Sequence, residues 1–150
     1  MTLEKELPSG WEWFKLEDLL TLYETGTRPK GGVSKYTSNF LSISAEHFTN
    51  SGKIDLTKPK YIPEDWFNSM KRGKIKQGDT LIVKDGATTG KVVYVDLSST
   101  DNIAINEHVF LCRPNEKINK KFLFYFLFSN RGYKSIRLHF IGSAVGGVNQ

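Results

Sequence analysis

The stretch Gly86-Ala87-Thr88-Thr89-Gly90-Lys91 is the part of this sequence that looks most like a chemical device, a glycine-framed loop ending in lysine. A nucleotide-hydrolysing phosphate loop needs four residues between its glycines and a hydroxyl residue after the lysine to hold magnesium. Here three residues separate Gly86 from Gly90, and Val92 follows the lysine. The cradle is short and the metal ligand is missing, so nucleotide hydrolysis is not expected. A metal-dependent nuclease would need an acid two residues before its lysine, and Ile82 holds that place before Lys84, with Asp79 too far back. His47, His108 and His139 lack the spacing of a zinc site, and Ser143 lacks the frame of a hydrolase elbow. Cys112, the one cysteine, sits in the apolar run Val109-Phe110-Leu111-Cys112 and reads as core. No catalytic residue, metal or cofactor is expected.

What these loops can do is hold a polyanion. Lys and Arg number 21 against 16 acids, a formal charge of +5 with a pI near 9.3. Arg28, Lys30 and Lys35 share one glycine-rich stretch. Lys84, Thr88, Thr89 and Lys91 share another, where glycines let backbone amides come close to phosphates.

The elements that must position these loops follow from periodicity and breakers. Residues 7–16, alternating and aromatic, predict a first strand, and 17–20 a short helical turn. Residues 26–32, rich in Gly and Pro, are a loop. Residues 40–44 predict a strand whose other face carries Ser42 and Ser44, and Pro63 with Glu64 and Asp65 marks a helix start. Strands are expected over 80–84 and 91–95, a single further strand over 105–113, and one long helix over 119–137. The tail 142–150 reads as a loop. The sum is an α+β domain, strand-rich, with short helices and one longer C-terminal helix. A tail over 1–6 and a single domain over 7–150 are expected. No apolar run approaches the roughly 18 residues of a membrane span, and no secretory signal is visible, so a cytoplasmic protein without membrane contact is expected.

Four stretches, taken in order, carry a family resemblance. Leu7-Pro8-Ser9-Gly10-Trp11-Glu12-Trp13 resembles the Leu-Pro-x-Gly-Trp-x-Trp opening of the target recognition domains of type I restriction-modification specificity subunits. Gly26-Thr27-Arg28-Pro29-Lys30 through Tyr36 is similar to that family's Gly-Thr-Pro loop, with Arg28 interrupting the usual Thr-Pro pair, and Leu41-Ser42-Ile43 to the strand after it. The run from Gly78-Asp79 to Gly90-Lys91 resembles its Gly-Asp-x-Leu-Ile-x-x-x-Gly-x-x-Gly-Lys signature, and Asn106-Glu107-His108-Val109 then precedes a long helix.

The resemblance implies a non-catalytic module that reads one half-site of double-stranded DNA, ending before the family's spacer helices. Methyltransferase and restriction subunits would be partners through regions mostly outside these residues. Within that reading the residues expected to meet DNA are Arg28, Lys30, Lys35, Tyr36, Ser44, Glu46, Lys84, Thr88, Thr89 and Lys91, with Arg28 at guanine and Tyr36, Ser44 and Glu46 beside it. The alternative is a protein-interaction module on the same fold, using Trp66, Phe67 and the helix over 122–128.

Overall fold

A four-stranded antiparallel sheet divides the molecule. The computed structural model describes residues 6–33 and 37–137; the expectations placed on Lys35, Tyr36, His139, Ser143 and the tail 142–150 fall outside them. A 3-10 turn at Leu16–Leu19 leads into β1 (Leu20–Thr25), followed by β2 (Leu41–Ile43), a 3-10 turn at Ala45–His47 and α1 (Glu64–Ser69). Then come β3 (Thr80–Val83), β4 (Val92–Tyr94), β5 (Ile103–Ile105), β6 (Val109–Pro114), α2 (Lys120–Phe128) and α3 (Asn130–Arg137). The large sheet has the order β1-β6-β3-β4; β2 and β5 form a separate parallel pair.

Every residue of β3 is buried, and the two-residue period explains how. Leu81 and Val83 face one core with Val109, Leu111, Ile43 and Ile105. Ile82, between them, faces a second core with Phe110, Cys112, Leu123, Phe124 and Leu127. The sheet is therefore covered on one face by the β2–β5 layer and on the other by α2, and a strand covered on both faces reads as a continuous apolar run. Register is fixed by Leu81, which lies opposite Leu111 on β6 and Val93 on β4. A third, smaller core joins Phe40, Ile62, Met70 and Ala104 to Trp66 and Phe67 of α1.

Asp79, 1 % exposed, closes the start of β3. Its carboxylate accepts from Arg113 Nε and Nη2, both at 2.9 Å, and from the Lys76 N–H at 2.7 Å. Arg113 Nη2 also donates to the Lys74 carbonyl at 3.1 Å. Burial, and then the charge of Asp79, push the Cys112 thiol well above its ordinary range. Burial, with Cys112 adding, raises Tyr23 likewise.

Several sequence expectations are corrected. Residues 7–16 form no strand: Trp11, Trp13 and Phe14 are about half exposed, no partner strand among the described residues runs beside them, and the tryptophans reach the C-terminal helices instead, Trp11 meeting Phe122 of α2 edge-on at 5.8 Å and Trp13 lying 4.7 Å from the Arg131 guanidinium of α3. The first strand is β1, beyond the 3-10 turn. Residues 105–113 are two strands belonging to different sheets, parted at 106–108, because β5 pairs with β2 and β6 with β3.

The long helix over 119–137 is broken at Ser129 (ψ 159°), whose Oγ donates to the Phe126 carbonyl and accepts from the Gly132 N–H at 3.2 Å, capping α3. Ser42 is buried rather than surface-facing, because its partner Ala104 belongs to the third core, which covers that face of β2. The start at Pro63 holds: Pro63 is the N-cap of α1, with Glu64 and Asp65 in its first turn.

Candidate nucleic-acid interface

Strand direction gathers the loops. β6 is antiparallel to both β1 and β3, so the ends of β1 and β3 lie beside the start of β6. β2 and β5 run parallel and finish together at Ile43 and Ile105. The turn that joins β5 to β6, Asn106-Glu107-His108, sits where all of these ends meet.

Backbone hydrogen bonds make that turn a hub. The Gly26 N–H donates to the Asn106 carbonyl at 3.0 Å, and the Asn106 N–H donates to the Ile43 carbonyl at 3.0 Å. The Lys84 N–H donates to the His108 carbonyl at 2.8 Å, while buried Asn106 accepts the His108 N–H on Oδ1 at 2.9 Å. The ends of β1, β2 and β3 are thus pinned to Asn106 and His108 of one short turn. Gly26 is obligatory in this arrangement, since a Cβ there would lie 1.7 Å from the Ile105 carbonyl oxygen.

Side chains repeat the connection. Arg28 Nη2 lies 3.0 Å from Glu107 Oε1; the same oxygen is 3.3 Å from His108 Nε2, and His108 Nδ1 is 2.7 Å from Asp85 Oδ1. A cleft of about 620 Å³ opens between the loop after β1 and the hub, walled by Gly26, Thr27, Arg28, Pro29, Arg72 and Glu107. Arg28, Arg72 and Glu107 thus line one cleft, with Arg28 paired to the carboxylate.

The lysine-rich loop between β3 and β4 is stapled from within. The Gly90 N–H donates to the Val83 carbonyl at 2.8 Å and the Lys91 N–H to the Thr88 carbonyl at 3.0 Å, with Gly86 at φ 93° and Gly90 at φ 87°. Thr89 is buried and donates its hydroxyl to the Gly86 carbonyl at 2.6 Å, so its side chain holds the turn. Thr88 stays exposed. Lys84 and Lys91 are half-buried, the Lys84 ammonium 5.7 Å from the Phe110 ring. Arg28 and Lys30 are exposed.

Ser44 and Glu46 follow the end of β2, next to the hub bond at Ile43, and the Ser44 hydroxyl donates to Glu46 Oε1 at 3.1 Å. His47 is buried, its Nδ1 accepting the Ser44 N–H at 3.0 Å, so Nε2 carries the proton donated to the Lys58 carbonyl at 3.1 Å. Among the described residues no group of three or more His, Cys, Asp or Glu is placed to hold a metal ion.

Sequence reasoning missed Arg72 and the linking role of Glu107 and His108. The available signal was a polar triplet, 106–108, between two apolar runs, which marks a turn rather than strand interior.

The Type I restriction modification DNA specificity domain model matches residues 8–149. The chain belongs to that family. This specificity domain is 27% identical over 144 residues to the type I restriction enzyme MjaVIII specificity subunit of Methanocaldococcus jannaschii, covering 92% of this chain and 32% of that protein. It spans about a third of that relative's length. A chain from a structure of complex assembly and conformational transition of the type I R-M system aligns with TM-score 0.69 and 19% identity, over 98% of this chain and 33% of the other. The HsdS subunit from Thermoanaerobacter tengcongensis aligns with TM-score 0.61 and 19% identity, over 88% of this chain and 29% of its own. At such identities these structures speak for the fold, and they agree with an α+β recognition domain. Among the described residues of the specificity domain, no helix is long and apolar enough to cross a membrane.

Proposed function

We propose that this specificity domain reads a short sequence of double-stranded DNA as the address-giving component of a type I restriction-modification system, covering one half-site. The observation that carries the reading is the hub at 106–108, which pins three strand ends, two of them leading into basic loops, at one end of both sheets. In duplex recognition, phosphate contacts set position and base-edge contacts set sequence. Lys30, Lys84, Thr88 and Lys91 suit the first task; Arg28, with Ser44 and Glu46 near the same strand ends, suits the second. Lys35 and Tyr36, a few residues after Arg28 in sequence, are proposed as further DNA contacts. The domain is non-catalytic in this reading and works in the cytoplasm. Methylation, translocation and cleavage, with their cofactors, belong to partner subunits.

Fluorescence-anisotropy titration of duplex DNA across salt tests the proposal. Lys91→Ala is expected to weaken binding to all sequences alike and lower the salt slope by about 1, whereas Arg28→Ala costs roughly 1–3 kcal/mol at a single base position. Wild-type binding by both variants removes these loops from the interface.

A further inference from the structure

Glu107 is the one acid among the residues that wall the cleft, an unfavourable charge to place where a polyanion is to bind. Its geometry shows what it does. Oε1 stands 3.0 Å from Arg28 Nη2 and 3.3 Å from His108 Nε2. Oε2 is buried and has no hydrogen-bond partner among the described residues, where an unsatisfied acceptor costs stability. His108 Nδ1 in turn lies 2.7 Å from Asp85 Oδ1, so Arg28, Glu107, His108 and Asp85 stand in a row between the loop after β1 and the loop after β3, the link through both ring nitrogens being ionic when His108 is protonated.

An arginine carries five N–H donors in a planar fork. Holding Arg28 at Nη2 limits where that fork can swing and leaves other donors for a base edge, the state in which a guanidinium can address guanine O6 and N7 together. Released, the same side chain would swing to the nearest phosphate, where it adds affinity and no sequence information. Arg72 walls the same cleft, exposed and without an ion-pair partner among the described residues, and is available to phosphate.

We propose that Glu107 is a positioning residue that sets specificity: it orients Arg28 toward a base edge and away from phosphate. The proposal rests on the DNA-reading function above and deepens it.

The test is a double-mutant cycle on the 150-residue chain, titrated by anisotropy against a random-sequence duplex over a salt series. Glu107→Gln is expected to bind the random duplex roughly tenfold more tightly near 0.1 M salt and to steepen the salt slope by about 0.9, the signature of one added phosphate contact. In an Arg28→Ala background the same change is expected to leave the slope unaltered, because no guanidinium is released. Glu107→Asp keeps the charge but shortens the reach. It is expected to hold random-duplex affinity near wild type, while narrowing the preference for the sequence that wild type selects from a random library.

Thermal unfolding of each variant confirms a folded domain. Should Glu107→Gln unfold, Glu107→Asp alone decides, and unchanged preference overturns the proposal. It is equally overturned if Glu107→Gln binds as wild type or more weakly, or if its gain is the same with and without Arg28, which is plain charge removal. Absence of any salt-dependent duplex binding by wild type would instead sink the recognition function itself.

Discussion

Asp79→Ala isolates the Gly-Asp element of the family signature and asks whether it is structural. In the folded chain Asp79 accepts three charge-assisted hydrogen bonds, two from Arg113 and one from the Lys76 amide, at 1 % exposure. Alanine leaves the guanidinium with only the Lys74 carbonyl at 3.1 Å and strands the Lys76 N–H. Breaking a buried pair by removing one partner costs about 3–5 kcal/mol. The Arg113 side chain is 22% exposed, so water reaches part of the orphaned charge and the lower end of that range, about 3 kcal/mol, is expected. That is a large share of a total stability of about 5–15 kcal/mol. Urea unfolding followed by tryptophan fluorescence reads the loss as a lower midpoint at unchanged slope. Pairing Asp79→Leu with Arg113→Met, which removes both charges, should recover much of it. A single-variant loss below about 1 kcal/mol, the range of an exposed pair, would refute the structural role.

Gly26→Ala should destabilise at or beyond the upper end of the roughly 1–3 kcal/mol of overpacking, because its Cβ meets backbone rather than a flexible side chain. Urea unfolding checks this, and near-wild-type stability would mean that β1 does not abut the hub. Cys112 should resist alkylation at pH 8 until the chain is unfolded, since burial disfavours the thiolate; rapid labelling of the native protein would place it at the surface. Its raised folded pKa also implies that the unfolded chain loses this proton first. Stability should then be complete below about pH 8.5 and fall above it, by about 1.4 kcal/mol per pH unit for this one group. Tyr23, raised likewise, adds to that fall at still higher pH. Denaturant midpoints flat through the alkaline range would contradict both shifts.

Local chemistry was legible and assembly was not. Residues 80–83 announced a strand because Gly78-Asp79 precedes a β-branched run, and the start of α1 because proline and acids suit a first turn. The basic loops were visible as glycine-framed lysines. The parting of β5 from β6 was not, since two apolar runs around a polar triplet read as one strand until each finds a different sheet. The aromatic alternation of residues 7–16 imitated a strand while serving a helix contact. Arg72 and Glu107 lie far apart in sequence and share a cleft only because β5 returns the chain beside Gly26, which no local pattern encodes. That the Thr89 hydroxyl donates inside its own turn is likewise a feature no local pattern encodes.

Amide-shift mapping by NMR of the isotope-labelled chain, titrated with duplex DNA at low salt, tests the central claim most directly. Shifts concentrated in residues 26–33, 84–91 and 106–108, fading as salt is raised, are the predicted result. Shifts confined to α2 and the aromatic segment at residues 11–14, or none at any salt, would contradict the account.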